Sequence, residues 1–352
     1  LEDTVKKAID VAAERIKKYH EKQIPKNLSY TDETGSILGY HWKPIEKVGI
    51  YVPGGTASYP STVLMNAIPA IVAGVKNIVM VSPANQGKLN PATIYAAKLL
   101  GIKNIYRIGG AQAVAALAYG TETIKNVDKI VGPGNAYVAE AKKQVFGSVG
   151  IDMFAGPSEV VVVADNINDP KIIAADLISQ AEHDKNAQSI LITNDEALAI
   201  EVEKEMVVQL KSLPRSEIAT ESWNNHGSII TTTSVDESID LVNKLAPEHL
   251  ELSIQDARSY VNKVNHAGAI FVGPSTPEAI GDYVAGPSHV LPTARTARYS
   301  SGLSVFDFIK RTSVVECSPE SLEVIGNDAR IIAINEGLDG HARSIEYRLS
   351  KK

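Results

Sequence analysis

Glu248 and His249 are neighbours in the chain and carry the two side-chain types most often used for general acid and base catalysis. They lie in residues 245–252, between a segment with helical spacing and a segment typical of a strand. Pro247 restricts the backbone just before the pair, as a site held in fixed geometry requires. Adjacent Glu and His residues also occur on solvated loops that have no function. The pair is therefore a candidate acid/base site, and the rest of the chain must decide between the two interpretations.

Gln180 and His183 form a second candidate site, because side chains three positions apart on a helix share a face. An imidazole and an amide oxygen can both bind a metal, but glutamine is an unusual zinc ligand and Gln-x-x-His pairs also occur on polar helix surfaces. Asp282, His289 and His341 lie in glycine-rich turns further along the chain, where a carboxylate and imidazoles could bind the same ion. These residue types suggest a metal site whose ligands the spacing alone does not fix.

The composition favours small-molecule chemistry. The chain has 352 residues, enough for about two domains, and its 44% hydrophobic and 22% charged residues match the averages of soluble globular proteins. A formal net charge of −6 provides no basic field for a phosphate backbone, which argues against nucleic-acid binding. No apolar run reaches membrane-spanning length, and the first residues lack a signal-peptide pattern. We therefore expect a cytoplasmic protein that acts on a small molecule.

The single cysteine, Cys317, excludes an internal disulfide framework and a cysteine-rich zinc site. It follows a strand-like segment and stands next to Glu316, whose negative charge disfavours a thiolate. A buried structural thiol is therefore predicted rather than a nucleophile.

Strand-like and helix-like patterns alternate in two series. The strand-like segments of the first series are residues 48–52, 77–81, 104–108 and 128–131. Those of the second series are residues 159–164, 189–193, 227–232 and 268–272, with helical segments between them. Alternating strands and helices favour parallel pairing. We therefore predict two Rossmann-like α/β domains, each with a doubly wound parallel sheet, and a boundary near residue 158.

Glycine-rich loops follow three strands of the first series, at residues 53–55, 109–112 and 132–135. The carboxyl ends of parallel strands form the ligand crevice of an open α/β sheet, where glycine lets a backbone approach a phosphate. None of the loops has the G-x-G-x-x-G spacing of the dinucleotide fingerprint, so the usual Rossmann site is not supported. Turn formation explains these glycines equally well.

Both ends of the chain are predicted to be mainly helical. Apolar residues three or four positions apart in residues 1–22 indicate an amphipathic surface helix, followed by a connector to Pro44 with room for a short hairpin. Residues 273–301 are irregular, which in a compact domain is often a sign of function. From Ser318 the pattern favours a helix to Asn335, a turn and a last amphipathic segment.

Seven motifs resemble, in order, those of the zinc- and NAD-dependent histidinol dehydrogenase family. They are YVPGG (51–55), GGAQA (109–113), GPGN (132–135), AGPSE (155–159), SQAEH (179–183), APEHL (246–250) and EGLDGHA (336–342). The resemblance covers nearly the whole chain. The family's chains extend further at the N-terminus, so residue 1 here falls within their first region.

The resemblance implies NAD-dependent oxidation of L-histidinol through L-histidinaldehyde to L-histidine, the last step of histidine biosynthesis. The implied zinc ligands are Gln180, His183, Asp282 and His341 of the partner subunit. Substrate contacts are implied for these four residues and for Ser158, His249 and Glu336. The implied NAD contacts are Tyr51, Gln112 and Asn135.

The resemblance also gives Glu248 and His249 separate functions. His249, which ordinarily titrates near neutrality, suits the base that removes the hydroxyl proton in the alcohol step. Glu248 is implied to activate the water that hydrates the aldehyde, in place of the thiohemiacetal of cysteine-dependent aldehyde dehydrogenases. Zinc is expected mainly to orient and polarise the substrate.

This interpretation divides the chain into four parts. We expect residues 1–46, the N-terminal helix and connector, to pack on the second α/β domain. Residues 47–158 form the first α/β domain on the NAD side, and residues 159–305 form the second, with zinc and the catalytic pair. Residues 306–352 form a helical C-terminal tail that reaches the partner subunit of a homodimer with shared active sites.

Three other functions stay open at this point. One is a paralogous zinc and NAD dehydrogenase of another small alcohol, against which only Glu336 and His341 discriminate. Another is a zinc hydrolase with Glu248 as the base toward metal-bound water, which would form no NADH. The third is a structural metal-binding protein without turnover.

Overall fold

The computed structural model of the protein describes residues 1–54, 59–154 and 156–350. Gly55 and Ala155, each part of a sequence motif, lie outside the described residues. The chain divides into two compact units. The large unit comprises Leu1–Gln23 and Ile45–Phe308, and the small unit comprises Ile24–Pro44 and Ile309–Lys352.

The regular elements of the described residues are as follows. The strands are β1 (Leu28–Thr31), β2 (Ile37–Pro44), β3 (Lys47–Tyr51), β4 (Asn77–Val81), β5 (Asn104–Tyr106), β6 (Lys129–Val131), β7 (Gly150–Ile151), β8 (Glu159–Ala164), β9 (Gln188–Thr193), β10 (Ser228–Thr231), β11 (His249–Ser253), β12 (Ala269–Val272) and β13 (Ile309–Glu316). The helices are α1 (Asp3–Glu21), α2 (Pro60–Ala73), α3 (Pro91–Leu99), α4 (Gly110–Tyr119), α5 (Ala136–Val145), α6 (Pro170–Ala181), α7 (Glu196–Leu210), α8 (Ser216–His226), α9 (Val235–Leu245), α10 (Ala257–Tyr260), α11 (Glu278–Tyr283), α12 (Pro319–Asn335) and α13 (Asp339–Leu349).

The first sheet of the large unit is parallel throughout, with strand order β5-β4-β3-β6-β7. Its central strand β3 is almost wholly buried, because α2 and α3 cover one face of the sheet while α4 and α5 cover the other. The glycine loops at Pro53, Gly109 and Gly132 follow the carboxyl ends of β3, β5 and β6. The predicted crevice-forming edge of a doubly wound sheet is thus present.

The second sheet is also parallel throughout, with strand order β10-β9-β8-β11-β12. Counted from its first strand, this is the same winding order as in the first sheet. The alternating residues of β8 pack into two apolar cores, one under α6, α7 and α8 and the other under α9 and α10. The prediction of two doubly wound parallel sheets is confirmed.

At the carboxyl edge of the second sheet, side-chain hydrogen bonds link the ends of the neighbouring strands β8 and β11. Asn168 donates to the carbonyl oxygen of Ser253 at 2.5 Å and accepts from the Ser253 hydroxyl at 2.6 Å. Asp165 accepts from the backbone N–H of Gln255 at 2.7 Å. These bonds join the loops after β8 and β11, where an open α/β sheet ordinarily has its ligand crevice.

Helix α1 packs on the helices that cover the first sheet. The sequence analysis expected it to pack on the second α/β domain instead. Ile9, Ala12 and Ile16 enter the apolar core that α2 and α3 form over β3. Val5 and Tyr19, which belong to the predicted apolar face, are exposed. An amphipathic pattern identifies the buried face of a helix but not the element that covers it.

The small unit contains an antiparallel sheet with strand order β1-β2-β13 and the two helices α12 and α13. The expected hairpin is present as β1 and β2, and the expected helix from Ser318 to Asn335 is present as α12. Cys317 follows β13 and is exposed, so the prediction of a buried thiol is wrong. Most residues of β13 are exposed, which leaves its end without the cover that burial of the thiol would need.

Helix α8 and the short helix α11 were not expected from the sequence. Helix α11 lies within residues 273–301, which have no regular sequence pattern. Both are polar and short, so they lack a strong apolar periodicity. Among the described helices, none combines the length and the hydropathy of a membrane span.

Candidate active site

Glu248 and His249, the candidate acid/base pair, lie at the amino edge of the second sheet. His249 is the first residue of β11, Glu159 is the first residue of β8, and the two strands pair with His249 opposite Val160. The backbone N–H of Glu159 donates to Glu248 Oε2 at 2.9 Å, and the carbonyl oxygen of the same residue lies 3.0 Å from His249 Nδ1. A carbonyl oxygen can only accept, so Nδ1 carries the imidazole proton. This leaves His249 Nε2 with a free lone pair.

Both members of the pair are buried, with 5% of Glu248 and 4% of His249 exposed. Burial lowers the pKa of His249 to about 4, although the carboxylate of Asp282 opposes this shift. Burial raises the pKa of Glu248 well above its ordinary value, although the N–H of Glu159 opposes this shift. The imidazole is therefore neutral at pH 7 and able to accept a proton, whereas the sequence suggested titration near neutrality. A sequence pattern does not report the burial that causes the shift.

Three of the expected metal ligands lie on or next to two helices that are in contact. Gln180 lies in the last turn of α6, His183 follows that helix, and Asp282 lies on α11, which packs against α6. His183 Nε2 and Asp282 Oδ2 are 4.0 Å apart. The Gln180 side chain is fully buried, and within the described chain neither its amide oxygen nor its nitrogen has a hydrogen-bond partner. An orphaned buried amide is costly unless a ligand completes it, so this residue set fits a metal ion.

Two further residues surround Asp282. Glu278 lies one helical turn before it on α11, and His249, Glu278 and Asp282 each offer a ligand atom within 4.8 Å of the others. Glu278 is buried, its Oε1 lies 3.9 Å from His249 Nε2, and its Oε2 has no partner among the described residues. His289, a candidate by residue type, lies with Nδ1 3.0 Å from the Asp282 carbonyl oxygen and so carries its proton there. The sequence analysis did not identify Glu278 as a candidate site residue. Only its spacing of four residues from Asp282 could have indicated it.

Ser158, Glu336 and His341 occupy different places. Ser158 precedes β8, is half-buried, and accepts through its carbonyl oxygen from the N–H of Gln188 at 2.9 Å. It is thus adjacent to Glu159, whose backbone holds Glu248 and His249. Glu336 follows α12 and His341 lies in the first turn of α13, and both are exposed residues of the small unit.

The three residues expected to contact NAD lie around the glycine loops of the first sheet. The Tyr51 hydroxyl accepts from the N–H of Gly110 at 2.9 Å, which ties the end of β3 to the start of α4. Gln112 lies in the first turn of α4, with its amide beside Gly110. Asn135 accepts through its side-chain oxygen from the N–H of Val138 at 3.1 Å and so caps α5.

A buried ion pair, not anticipated from the sequence, supports the loop after β6. Lys142 pairs with Asp152, and their side chains are only 3% and 1% exposed. Lys142 also donates to the carbonyl oxygen of Gly132 at 3.0 Å, and Asp152 accepts from the N–H of Gly132 at 2.7 Å. Gly132 has φ 109°, and a Cβ there would overlap the carbonyl oxygen of Tyr51. The backbone N–H and the carbonyl oxygen of Gly132 are therefore both hydrogen-bonded, which fixes the loop.

Comparison with known proteins places these features in one family. The family model described as histidinol dehydrogenase matches residues 1–349. The histidinol dehydrogenase of Rhizobium meliloti (strain 1021) is 60% identical over 343 residues, which cover 97% of this chain and 79% of that protein. The crystal structure of histidinol dehydrogenase from Elizabethkingia anophelis superimposes with a TM-score of 0.95 at 42% identity and covers 99% of this chain and 81% of that one.

A more distant structural likeness concerns the fold alone. A propionaldehyde dehydrogenase from Clostridium phytofermentans superimposes with a TM-score of 0.54 at 14% identity, covering 90% of this chain and 93% of that chain. The two α/β sheets thus recur in a protein with little sequence in common.

Proposed function

The chain belongs to the histidinol dehydrogenase family, oxidoreductases that act on CH–OH groups, and from this premise we propose that it oxidises L-histidinol in two NAD-dependent steps. The product of the first step is L-histidinaldehyde and that of the second is L-histidine. The observation that carries the proposal is the placement of Glu248 and His249 by the backbone of one residue, Glu159, beside a buried set of metal-binding side chains.

In the first step His249 is the base. Its Nδ1–H is held by the carbonyl oxygen of Glu159, and its Nε2 is unprotonated and has no partner in the described chain. The substrate hydroxyl gives its proton to Nε2. NAD, when bound, would accept the hydride that leaves the same carbon. The low pKa of His249 keeps the imidazole free to accept this proton at neutral pH.

In the second step Glu248 activates water. An aldehyde has no hydroxyl on its reacting carbon, so it must add water before a second hydride can leave. A carboxylate whose pKa burial has raised is a stronger base than an exposed one, and Glu248 is such a group. Its bond to the N–H of Glu159 leaves the other carboxyl oxygen for the water. As the activated water attacks the aldehyde, His249 returns its proton to the carbonyl oxygen. The product is the hydrated form, which the now neutral His249 can deprotonate.

Gln180, His183, Asp282 and His341 of the partner subunit are proposed to hold zinc. Two imidazoles, an amide oxygen and a carboxylate form a suitable set for this ion. Zinc, when bound, orients the substrate and polarises its hydroxyl oxygen. Ser158, His249 and Glu336 are proposed to contact the substrate beside it.

NAD is proposed to bind at the carboxyl edge of the first sheet, with Tyr51, Gln112 and Asn135 as contacts. The observation in favour is that β3 and β6, the switch point of the winding order, end in loops rich in glycine. Two helices begin beside these loops, and their free N–H groups suit a pyrophosphate.

The chain is proposed to form a homodimer in the cytoplasm. Helix α12 of the small unit exposes a set of large apolar side chains, which water does not favour on a free surface. These residues are Val324, Ile325, Ile331, Ile332 and Ile334. A second copy that covers them also supplies His341 and Glu336. A single cysteine, with no possible internal disulfide, agrees with a reducing compartment.

The test is NADH formation from L-histidinol and NAD, followed by absorbance, with the organic product identified. We expect two NADH and one L-histidine for each L-histidinol, and loss of activity after treatment with a chelator that zinc reverses. Turnover without NADH would indicate a hydrolase. Preference for another small alcohol by kcat/KM would indicate the paralogous function.

A further inference from the structure

Glu251 is a buried carboxyl group that the proposed reaction does not use. It lies two residues after His249 on β11 and therefore faces the same side of the sheet. Its register partner on β8 is Val162, which belongs to the apolar core under α6. Glu251 is only 3% exposed. A carboxyl group in such a layer must be hydrogen-bonded, because its desolvation is otherwise uncompensated.

Its partners come from two helices. One carboxyl oxygen of Glu251 accepts at 2.5 Å from the backbone N–H of Glu278, the first residue of α11, which has no acceptor within its own helix. The side chain also interacts with the carboxyl group of Asp176 on α6, and two carboxyl groups share a hydrogen bond when one of them carries a proton. Burial raises the pKa of both groups, which favours the protonated form that such a bond needs.

The two helices carry the candidate metal ligands one turn further on. Asp176 precedes Gln180 by four residues on α6, and Glu278 precedes Asp282 by four residues on α11. Residues four apart lie on the same helix face. We propose that Glu251 and Asp176 are positioning residues, which hold α6 and α11 at the separation that their metal-binding side chains require. The inference rests on the zinc site proposed above, and it adds residues that touch neither metal nor substrate.

The test compares zinc binding by Glu251→Gln and Glu251→Leu. Zinc affinity is measured on the metal-free enzyme by competition with a chromophoric chelator. Glutamine can accept from the N–H of Glu278 and donate to Asp176, so we expect wild-type zinc affinity and kcat within about threefold. Leucine has a similar volume but forms neither bond, so we expect zinc affinity lower by about tenfold or more. The KM for NAD should not change, because its proposed contacts belong to the first sheet.

Two more variants make the comparison decisive. Asp176→Ala removes the partner on α6 while leaving Glu251 bonded to α11, so it replaces Glu251→Leu if that variant does not fold, with the same expected loss. Ser222→Ala is the matched control, because it removes a buried hydrogen bond, from Ser222 to the Ala187 carbonyl at 2.8 Å, in the same sheet domain. It should lower the melting temperature but not the zinc affinity.

The outcomes separate this inference from the proposed function. Zinc affinity equal to the wild type in Glu251→Leu and Asp176→Ala, with only a lower melting temperature, would overturn the positioning role. Equal loss of zinc affinity in Glu251→Gln and Glu251→Leu would overturn it as well, because hydrogen bonding would not be the cause. A wild-type enzyme that binds no zinc would refute the zinc function itself.

Discussion

At the scale of single residues, Glu159 couples the two proposed catalytic side chains. Its N–H holds Glu248 and its carbonyl holds His249, while its own carboxyl group accepts from the N–H of Ala294 at 2.8 Å. A displacement of this one residue would therefore disturb the proposed base for the alcohol step and the proposed base for the aldehyde step together. Fixed donors and acceptors of this kind lower the cost of reaching the reactive geometry.

Glu248→Gln separates the two steps. Glutamine keeps the volume and can still accept from the N–H of Glu159, but it cannot take a proton from water. We expect the second oxidation to slow by about 100-fold or more, while the first is affected much less. In a single turnover the NADH formed per L-histidinol should fall from two toward one, and L-histidinaldehyde should be trapped by semicarbazide. Equal slowing of both steps would exclude the proposed role of Glu248.

Glu251→Gln should change how stability depends on pH. The pKa of Glu251 is raised in the folded protein to about 8 from an ordinary 4.5, so its contribution to stability is full below about pH 4.5 and is lost as the pH rises through about 8. An amide at this position stays neutral and makes the same bonds. Between pH 6 and pH 9 the free energy of unfolding should therefore fall by a few kcal/mol more in the wild type than in the variant. Urea unfolding at each pH measures the difference; parallel curves for the two proteins would contradict it.

At the scale of elements, the two sheets share a winding order but use opposite edges. The first sheet has glycine loops at its carboxyl edge, as the general rule for open α/β sheets predicts. The second sheet has the proposed catalytic pair at its amino edge, while Asn168 and Ser253 close its carboxyl edge. The rule therefore agrees with the proposed nucleotide crevice but does not predict the position of the proposed catalytic pair.

Gly132→Ala tests the loop after β6 against a matched glycine. Gly132 and Gly147 have φ of 109° and 102°, but an added Cβ overlaps the Tyr51 carbonyl at Gly132 and meets nothing within 4 Å at Gly147. Each substitution should cost about 1–3 kcal/mol of stability from backbone strain. Only Gly132→Ala should raise the KM for NAD, by about tenfold or more, because it displaces the end of β3. A similar KM for NAD in both variants would show that the loop does not bind the nucleotide.

The sequence predicted the helices and strands better than the side-chain contacts between them. Buried strands such as 159–164 and helices such as α9 were predictable because apolar runs and periodicity are local properties. Glu251, Asp176 and Glu278 could not be connected, since they lie on three elements and no local pattern records which polar side chains pair inside a core. Residue types and motif order indicated Gln180, His183 and Asp282; His183 and Asp282 lie 4.0 Å apart, and α11 packs against α6, the helix that carries Gln180.

At the scale of the whole molecule, the proposed site combines residues of one copy of the chain with residues of its partner. Glu336 and His341 belong to the small unit, and the other proposed ligands and catalytic groups belong to the large unit. Helix α12 exposes apolar side chains that a second copy could cover. We therefore expect the chain to be active only as a dimer, with dilution below the dissociation constant abolishing turnover.

Complementation between two inactive variants tests the sharing of sites. His341→Asn and Asp282→Asn each remove one proposed zinc ligand, so each homodimer should be inactive. In a heterodimer, one site keeps Asp282 from one subunit and His341 from the other. Random reassortment makes about half of the dimers mixed, with one intact site in each, so about a quarter of the wild-type activity should return. Failure of a purified heterodimer to recover activity would show that each site is built within one chain.

The use of opposite edges by the two sheets bears on the fate of the aldehyde. An enzyme that removes two hydrides from one carbon must exchange spent cofactor for fresh cofactor between the events. In the described chain the glycine loops end the strands of one sheet, whereas Glu248 and His249 begin a strand of the other. In the proposed arrangement the nucleotide would leave and be replaced while the side chains around the intermediate keep their positions. We therefore expect the reactive carbonyl compound to stay in the site through the exchange, with little of it released to react with amines added to the assay.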